Sequence, residues 1–286
     1  METLIGAMCM GKRIKFQFTK PGFHTLVVDN SALGYQKYGL PVGGPMDELA
    51  AEMANWLVGN QADSPLFEIT LIGPEIIFKE DCQIAITGAN LSPQIDGIDA
   101  PLYETICITQ GQNLRFGKLI SGCRTYLAIR GKWIQEGQSA LEKATIERLN
   151  TINIEKVEWF DSLRNSERPK LTSPVLVVKV QKGPEFELLS KSEKSILFET
   201  TFTLLQDSNR MGYRLSPKLP AINQSIISSG VVPGTLQITE DGFPILLMKD
   251  APATGGYLRA LNVVSKDLFK LGQLKPGGSI FFQLLE

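Results

Sequence analysis

Two arginines in the second half of the chain are the side chains best suited to bind an anion. Arg210 and Arg214 flank Gly212-Tyr213, and Asn209 stands beside them. A guanidinium group is the natural partner of phosphate or carboxylate, because its planar donors match two oxygens at once. We therefore expect Asn209, Arg210 and Arg214 to bind the charged part of a substrate. A solvated surface pair with no ligand is the competing interpretation.

Two adjacent glycines predict a second anion-binding element. Thr254-Gly255-Gly256-Tyr257 follows an apolar run at residues 245–248. Adjacent glycines let the backbone turn its N–H groups inward, which forms a concavity suited to phosphate or carboxylate. We expect these four residues to bind substrate, although a tight turn is the more frequent cause of such a pair.

Several carboxylates could serve as a general acid or base, but their spacing selects none of them. Those near glycine or proline turns are Asp29, Asp47, Glu68, Glu240, Asp241 and Asp250. As catalytic candidates we name Arg210, Asp29 and Asp250. His24 is the only imidazole, so serine–histidine chemistry would have to use it, and the sequence contains no nucleophile elbow. It contains no P-loop either, so any ATP would be bound in another way.

Composition narrows the class of partner. The formal net charge is −1 over 286 residues, which argues against nucleic acid or an anionic membrane surface as a partner. The four cysteines form no Cys-x-x-Cys pair and the chain has a single histidine, so we expect no metal in this chain. We expect the cysteines to be core residues rather than disulfides, which is typical of a reducing cytoplasm. No apolar run approaches the ~20 residues that a membrane span needs.

The elements that must position these side chains are mostly short strands. β-branched runs between Gly, Pro, Asn or Asp predict a first strand at 13–18 and further strands at 25–29, 75–78, 83–86, 105–108, 126–129, 175–180, 226–228, 245–248 and 279–284. The clearest helix is predicted at 47–58, where Pro45 precedes the start and Gly59 follows the end. A second helix is predicted near 139–150. This pattern is typical of an all-β barrel or sandwich.

The same unit is present twice in the sequence. Four short motifs recur in the same order, with offsets that drift from 178 to 166 residues: 29–35 and 207–213, 68–70 and 237–239, 87–89 and 254–256, and 111–116 and 277–282. A duplication with shorter loops in the second copy explains this drift. We predict a first β domain at 12–135, an irregular or helical connector at 136–172, and a second β domain at 173–286.

A longer set of motifs resembles a known family. The stretches are Gly34-Tyr35, 38–47, 54–60, 68–74, 87–89, 208–215, 232–234 and 254–257. In this order they resemble the KipA-type family, also called allophanate hydrolase subunit 2-like or biotin-dependent carboxyltransferase-like, which includes the C subunit of the ATP-hydrolysing 5-oxoprolinase. The resemblance implies two duplicated cyclophilin-like β-barrel domains with a few short helices. It also implies that Pro45, Met46 and Asp47 join the substrate site.

The chain departs from the family pattern at three polar loops. Residues 28–32 keep the family's aspartate, Asp29, but lose its glutamine, glycine and arginine; residues 137–141 replace a Gly-Ser-Arg-Ser-Thr loop; and Pro252-Ala253 stand in place of Gln-Thr. The lost groups are mainly donors that hold anions, whereas core and turn residues survive. This pattern suggests a retained fold with altered chemistry.

The resemblance implies three functions. In the first, the chain joins a KipI-like B-type subunit and a LamB/YcsF-like A-type subunit to open a lactam with ATP, which makes the poorly electrophilic amide reactive. In the second, it transfers a carboxyl group from carboxybiotin to a urea-like amide. We expect no covalent biotin here, because Cys9 stands where the attachment tetrad needs lysine. In the third, it is a non-catalytic partner that regulates a KipI-like subunit.

Overall fold

The computed structural model describes residues 13–29, 34–134, 146–158, 163–167, 174–222 and 226–285. These residues form two compact units. Unit 1 is drawn from Met1–Val27, Ala50–Ser121 and Thr125–Arg168, and unit 2 from Val28–Leu49, Gly122–Arg124 and Pro169–Glu286. The fold is mainly β with short helices, as the sequence predicts. Among the described residues, no helix is long and apolar enough to cross a membrane.

The first half of the chain contributes thirteen described strands and two α-helices. The strands are β1 Arg13–Ile14, β2 Phe16–Lys20, β3 His24–Val28, β4 Leu66–Thr70, β5 Glu75–Phe78, β6 Cys82–Asn90, β7 Pro93–Ile95, β8 Ile98–Asp99, β9 Thr105–Ile108, β10 Asn113–Phe116, β11 Ser121–Ile129, β12 Lys132–Ile134 and β13 Asn153–Glu155. The helices are α1 Glu48–Leu57 and α2 Ile146–Leu149.

Two five-stranded sheets form the body of unit 1. Their strand orders are β2-β5-β10-β7-β8 and β3-β4-β11-β6-β9, and β1, β13 and β12 form a smaller sheet. In β4, Phe67 and Ile69 lie on the same face of the strand and pack among other buried apolar side chains. Phe67 meets Phe18 edge to face with ring centroids 5.3 Å apart. A fully buried side chain of this size stabilises the fold by about 1.5–3 kcal/mol.

Helix α1 lies against the other face of the second sheet. The hydroxyl of Thr87 donates to the carbonyl of Ala50 at 2.6 Å, and that of Thr105 donates to the carbonyl of Leu57 at 2.6 Å. The helix ends where Gly59 adopts a left-handed φ of 69° and its N–H bonds the carbonyl of Trp56. This confirms the predicted helix at 47–58 to within one residue at each end.

Unit 2 is built around a closed seven-stranded barrel. The second half of the chain supplies β14 Val175–Lys182, β15 Phe202–Leu204, β16 Gly212–Ser216, β17 Ser229–Gly230, β18 Thr235–Ile238, β19 Pro244–Leu247, β20 Thr254–Gly255, β21 Leu258–Val263 and β22 Ser279–Leu284, with helices α3 Lys191–Glu199 and α4 Ser265–Gly272. The barrel order is β14-β21-β18-β19-β16-β15-β22. It closes where β14 runs parallel to β22, and β17 pairs separately with β20.

Most predicted strands are confirmed, and two predictions are corrected. The strand predicted at 13–18 is two strands, because β1 pairs with β13 whereas β2 pairs with β5. Residues 226–228 are not a strand: the ladder with β20 begins only at Ser229, and Ile227 is 93% exposed. Isoleucine favours strands only where a partner covers it. Of the helix predicted at 139–150, residues 139–145 lie outside the described part.

In three of the four motif pairs, both copies include strand residues. Glu68 lies in β4 and its echo Gln237 lies in β18, and both side chains are buried. The motif at 111–116 contains β10, and its echo at 277–282 runs into β22. In the first pair, residues 30–33 lie outside the described residues, as do those at 1–12 and the altered loop at 137–141. The domain limits 12–135, 136–172 and 173–286 stay a prediction.

Candidate functional site

The candidate site in unit 2 begins with a loop at residues 43–47, which we call the glycine loop. Gly43 and Gly44 have φ values of 68° and 83°, in the left-handed region that favours glycine. The N–H of Gly43 donates to the carbonyl of Lys249 at 2.9 Å. The loop is buried, and the Met46 side chain packs in the core of the barrel. Packing therefore explains Met46, and Pro45 is buried beside it.

Arg210 and Asp250 form a buried ion pair beside this loop. The Arg210 Nε donates to Asp250 Oδ2 at 2.7 Å, and its Nη2 donates to Oδ1 at 2.8 Å. The same Nη2 also donates to the carbonyl of Gly44 at 2.8 Å. The two side chains are 7% and 14% exposed. The guanidinium thus orients a carboxylate and a loop at once, and two predicted catalytic candidates meet.

Lys249 adds a second ion pair at the same edge. Its side chain is 10% exposed, and its ammonium group donates to Oε1 of Glu48, which opens helix α1 and is 51% exposed. Neither residue was among the predicted site residues. For Lys249, the only signal in the sequence is its place next to Asp250, a predicted site residue.

A polar network under the glycine loop closes the end of helix α4. The Arg124 Nη1 donates to the carbonyl of Gly272 at 2.7 Å and to the hydroxyl of Tyr213 at 2.8 Å. That hydroxyl in turn donates to the carbonyl of Leu271 at 3.1 Å. The last carbonyls of a helix lack partners within it and carry its negative dipole end, so a cation there is stabilising. Sequence reasoning missed Arg124, which lies in a β-strand pattern.

The other predicted anion-binding residues around Arg210 make local contacts. Asn209 Oδ1 accepts from the backbone N–H of Met211 at 2.8 Å and of Gly212 at 3.3 Å, which builds the turn into β16. Arg214 is 48% exposed and its Nε lies 3.1 Å from Oδ2 of Asp207. Asn209 therefore shapes the turn that carries Arg210, and Arg214 faces solvent.

The predicted glycine element at Thr254-Gly255-Gly256-Tyr257 forms β20 and the residue pair after it. Neither Gly255 nor Gly256 has a left-handed φ. A Cβ atom on Gly255 would lie 2.6 Å from Nε2 of Gln237, so the glycine allows close packing. Tyr257 is 44% exposed, and Thr254 is exposed as well. This segment presents polar and aromatic groups to solvent.

The remaining candidate acids are spread over both units. In unit 1, Glu68 is fully buried and its Oε2 accepts from the hydroxyl of Tyr126 at 2.8 Å. Glu240 and Asp241 lie in the turn between β18 and β19, Asp29 follows β3, and His24 opens that strand. Within the described ranges, no three His, Cys, Asp or Glu side chains group as a metal site would require.

Most of the chain matches a protein family. Residues 38–284 match the family model described as carboxyltransferase domain, subdomain A and B. The chain is similar to the C subunit of 5-oxoprolinase from Escherichia coli, with 29% identity over 92% of this chain and 89% of that protein. It is also similar to urea amidolyase of Saccharomyces cerevisiae, with 30% identity over 93% of this chain but 16% of that protein.

Solved structures share the fold over nearly the whole chain. The crystal structure of TTHA0988 superposes with a TM-score of 0.83 at 26% identity and covers 96% of this chain, which spans 57% of that one. The Kluyveromyces lactis urea amidolyase gives a TM-score of 0.83 at 26% identity, over 98% of this chain and 19% of its own. The likeness thus extends to proteins that are much longer than this chain.

Proposed function

Because the chain belongs to the carboxyltransferase domain, subdomain A and B, family, we propose that it is the C-type subunit of an ATP-dependent lactam hydrolase of the 5-oxoprolinase kind. One observation favours this function over carboxyl transfer. The match extends over 89% of a protein named as one subunit of 5-oxoprolinase, but over only 16% of urea amidolyase. The partners in this proposal are a KipI-like B-type subunit and a LamB/YcsF-like A-type subunit.

The proposed chemistry divides ring opening into two steps. The terminal phosphoryl group of ATP moves to the lactam carbonyl oxygen, which makes the carbonyl carbon electrophilic. Water then attacks that carbon, and the C–N bond breaks as the nitrogen takes up a proton, which leaves an acyl phosphate. A second water hydrolyses the acyl phosphate to the carboxylate and inorganic phosphate. A protein assists such steps mainly by positioning the groups and stabilising charge. The substrate offers a lactam N–H, which donates, and a carboxylate, which accepts.

The residues of unit 2 are assigned to three roles in this proposal. Asp250, held by two hydrogen bonds from Arg210, faces the substrate as an acceptor or general base. Arg210 positions it rather than binding the anion directly, because its Nε and Nη2 donors are engaged by Asp250 and Gly44. Exposed Arg214 and the segment 254–257 contact the substrate or phosphate held by a partner subunit. Asp29 stays a further candidate.

Two alternatives have specific support. Carboxyl transfer from carboxybiotin to a urea-like amide is favoured by the family's name and by the urea amidolyase match, and it needs biotin on a carrier protein. A non-catalytic role in restraining a KipI-like subunit is favoured by the commitment of Arg210 to Asp250 within the chain.

The deciding experiment measures ATP hydrolysis by this chain mixed with A- and B-type subunits from the same organism. We expect hydrolysis to rise when 5-oxoproline is added and to require all three proteins, so each is omitted in turn as a control. A stable complex without stimulation would support the regulatory alternative. Carboxylation of urea in the presence of a biotinylated carrier and its carboxylase would support the second alternative.

A further inference from the structure

Gln273, the residue after α4, is a buried amide whose four hydrogen-bonding positions are all used. Its Oε1 accepts from the backbone N–H of Cys123 at 3.1 Å and of Arg124 at 3.2 Å. Its Nε2 donates to Oδ2 of Asp47 at 2.7 Å and to the carbonyl of Arg124 at 2.9 Å. A carboxamide has two donor hydrogens and two acceptor lone pairs, so its capacity is filled.

These partners specify an amide at position 273. Two N–H groups need an acceptor while a carboxylate and a carbonyl need a donor, and glutamine provides both at the ends of one rigid group. A carboxylate there would face Asp47 at hydrogen-bonding distance and lose both donors. An apolar side chain would remove all four of these hydrogen bonds from buried polar groups, which is costly. The residue type is thus fixed by the contacts, not only by the available volume.

Gln273 follows the fixed end of helix α4 and bonds Asp47 of the glycine loop. Arg124 and Tyr213 hold the last carbonyls of α4, so the residue after the helix has a defined position. Asp47 ends the glycine loop and precedes α1. The other half of the loop is held by Arg210 through the carbonyl of Gly44. The loop is therefore fixed from two sides, and one side leads to Asp250.

We propose that Gln273 is a positioning residue: through Asp47 it holds the glycine loop where Gly44 can engage Arg210, and thereby orients Asp250. This inference rests on the proposed function, in which Asp250 faces the substrate. Gln273 itself touches no substrate. Its loss acts through the loop, so it lowers the turnover number more than it changes the KM for the lactam.

The test is Gln273→Glu, studied across pH in the complete complex. Two carboxyl groups at this distance share a proton at low pH and repel each other once both ionise. A protonated glutamic acid can donate to Asp47 as the amide does. We expect lactam-stimulated turnover about 10²-fold below the unaltered protein at pH 8.5, recovering to within about 10-fold at pH 6.

Two further variants make the result specific. Gln283→Glu adds a carboxyl to an exposed position of β22 and should follow the unaltered protein at every pH. Asp47→Asn combined with Gln273→Glu reverses the donor and acceptor, so the dependence on pH should disappear while part of the turnover returns. Among the described residues, Arg124, Cys123 and Tyr213 are the other titratable or charged groups in hydrogen-bond contact with this network. All variants retain them, so differences between variants come from the substituted positions.

Thermal unfolding of the free chain separates this inference from the proposed function. Gln273→Glu should melt lower as pH rises from 6 to 8.5, whether or not the complex hydrolyses a lactam; a flat melting difference would overturn the Asp47 contact. If the melting difference between Gln273→Glu and the unaltered protein changes with pH, but the ratio of their turnover numbers does not, Gln273 has only a structural role and the inference is wrong. An inactive unaltered complex would refute the proposed function and the positioning role with it.

Discussion

Individual side chains around the glycine loop act mainly on one another. Arg210 is engaged by Asp250 and Gly44, and Gln273 by Asp47 and the backbone at Arg124. Charge-assisted hydrogen bonds of this kind are stronger than neutral ones and fix geometry as well. A residue suited by type to bind an anion thus bonds a carboxylate of the chain itself. The role of the Arg210–Asp250 pair can be tested by replacing Arg210 alone and then both residues.

Arg210→Ala should destabilise the chain strongly, because it leaves the largely buried Asp250 carboxylate without its cation. Breaking a buried pair in this way costs about 3–5 kcal/mol. The double variant Arg210→Met with Asp250→Leu should regain most of that stability in urea unfolding, yet stay at least ~10²-fold less active in the complex.

The control is Arg214→Ala, at an exposed ion pair, which should change the free energy of unfolding by less than about 1 kcal/mol. Full activity of the double variant would show that the pair has no part in the reaction.

The ion pair between Glu185 and Arg259 in unit 2 predicts that the stability of the fold depends on pH. Glu185 accepts from Nε and Nη2 of Arg259 at 2.8 and 2.6 Å, and these hydrogen bonds hold the pKa of the Glu185 carboxyl below its ordinary value of 4.5. A lowered folded-state pKa stabilises the fold above the unfolded-state pKa, and this contribution is lost as pH falls through the folded-state value.

Glu185→Gln should therefore lower the free energy of unfolding at pH 7 by about 1.5–3 kcal/mol, the range for hydrogen bonds to charged groups. The difference from the unaltered protein should shrink below pH 4.5, as measured by denaturant unfolding at several pH values. Glu187→Gln is the matched control. Its pKa is lowered to about 2 by Lys194 and Lys182, but its side chain is 71% exposed, so water and salt screen the pair. Equal losses in both variants would contradict the prediction.

At the scale of elements, the end of helix α4 is the point where the barrel supports the glycine loop. Gly272 is its last residue, and a Cβ atom there would lie 2.5 Å from the carbonyl oxygen of Met46. The loop and the helix end approach this closely only because the position carries no side chain. The same approach brings Gln273 to Asp47, so the element contact and the amide contact depend on each other.

Gly272→Ala should thus force the loop and helix apart. Overpacking of this kind costs about 1–3 kcal/mol, measured by urea unfolding. Gly230→Ala in β17 is the control, since nothing lies within 4 Å of its added Cβ, and it should change stability by less than about 0.5 kcal/mol. If Gly272→Ala is as stable as the control, the close approach to Met46 does not constrain the loop.

At the scale of the whole molecule, unit 2 is assembled from three separate stretches. Besides Pro169–Glu286 it includes Val28–Leu49, which carries Met46 into the barrel core, and Gly122–Arg124, which closes α4. A barrel that takes a buried side chain and a buried cation from distant segments depends on them for its stability. The predicted second domain at 173–286 lacks both.

A fragment of residues 173–286 should therefore fail to unfold cooperatively in urea, as followed by far-ultraviolet circular dichroism. Its core would have a gap at Met46, and losing a buried methionine alone costs about 2–5 kcal/mol. The full chain retains all three stretches and is the control, and it should unfold cooperatively in the same measurement. Cooperative unfolding of the shorter fragment would show that the predicted boundary is sufficient for folding.

The sequence by itself determined the mainly β class, the position of α1, most strands and the order of the family motifs. These features are local: alternation of apolar residues, glycine and proline turns and helix ends act over a few residues. Helix α3 was missed although Ser190 and Glu193 form a capping box, a local signal that was present.

Only the tertiary structure decided which side chains meet. Gln273 reaches Asp47 across 226 residues of sequence, and Arg210 reaches Gly44 across 166. No local pattern encodes such contacts, because they arise when the barrel closes and brings separate segments together. For the same reason the sequence predicted Arg210 as a ligand-binding group, whereas the fold pairs it with Asp250, 40 residues away.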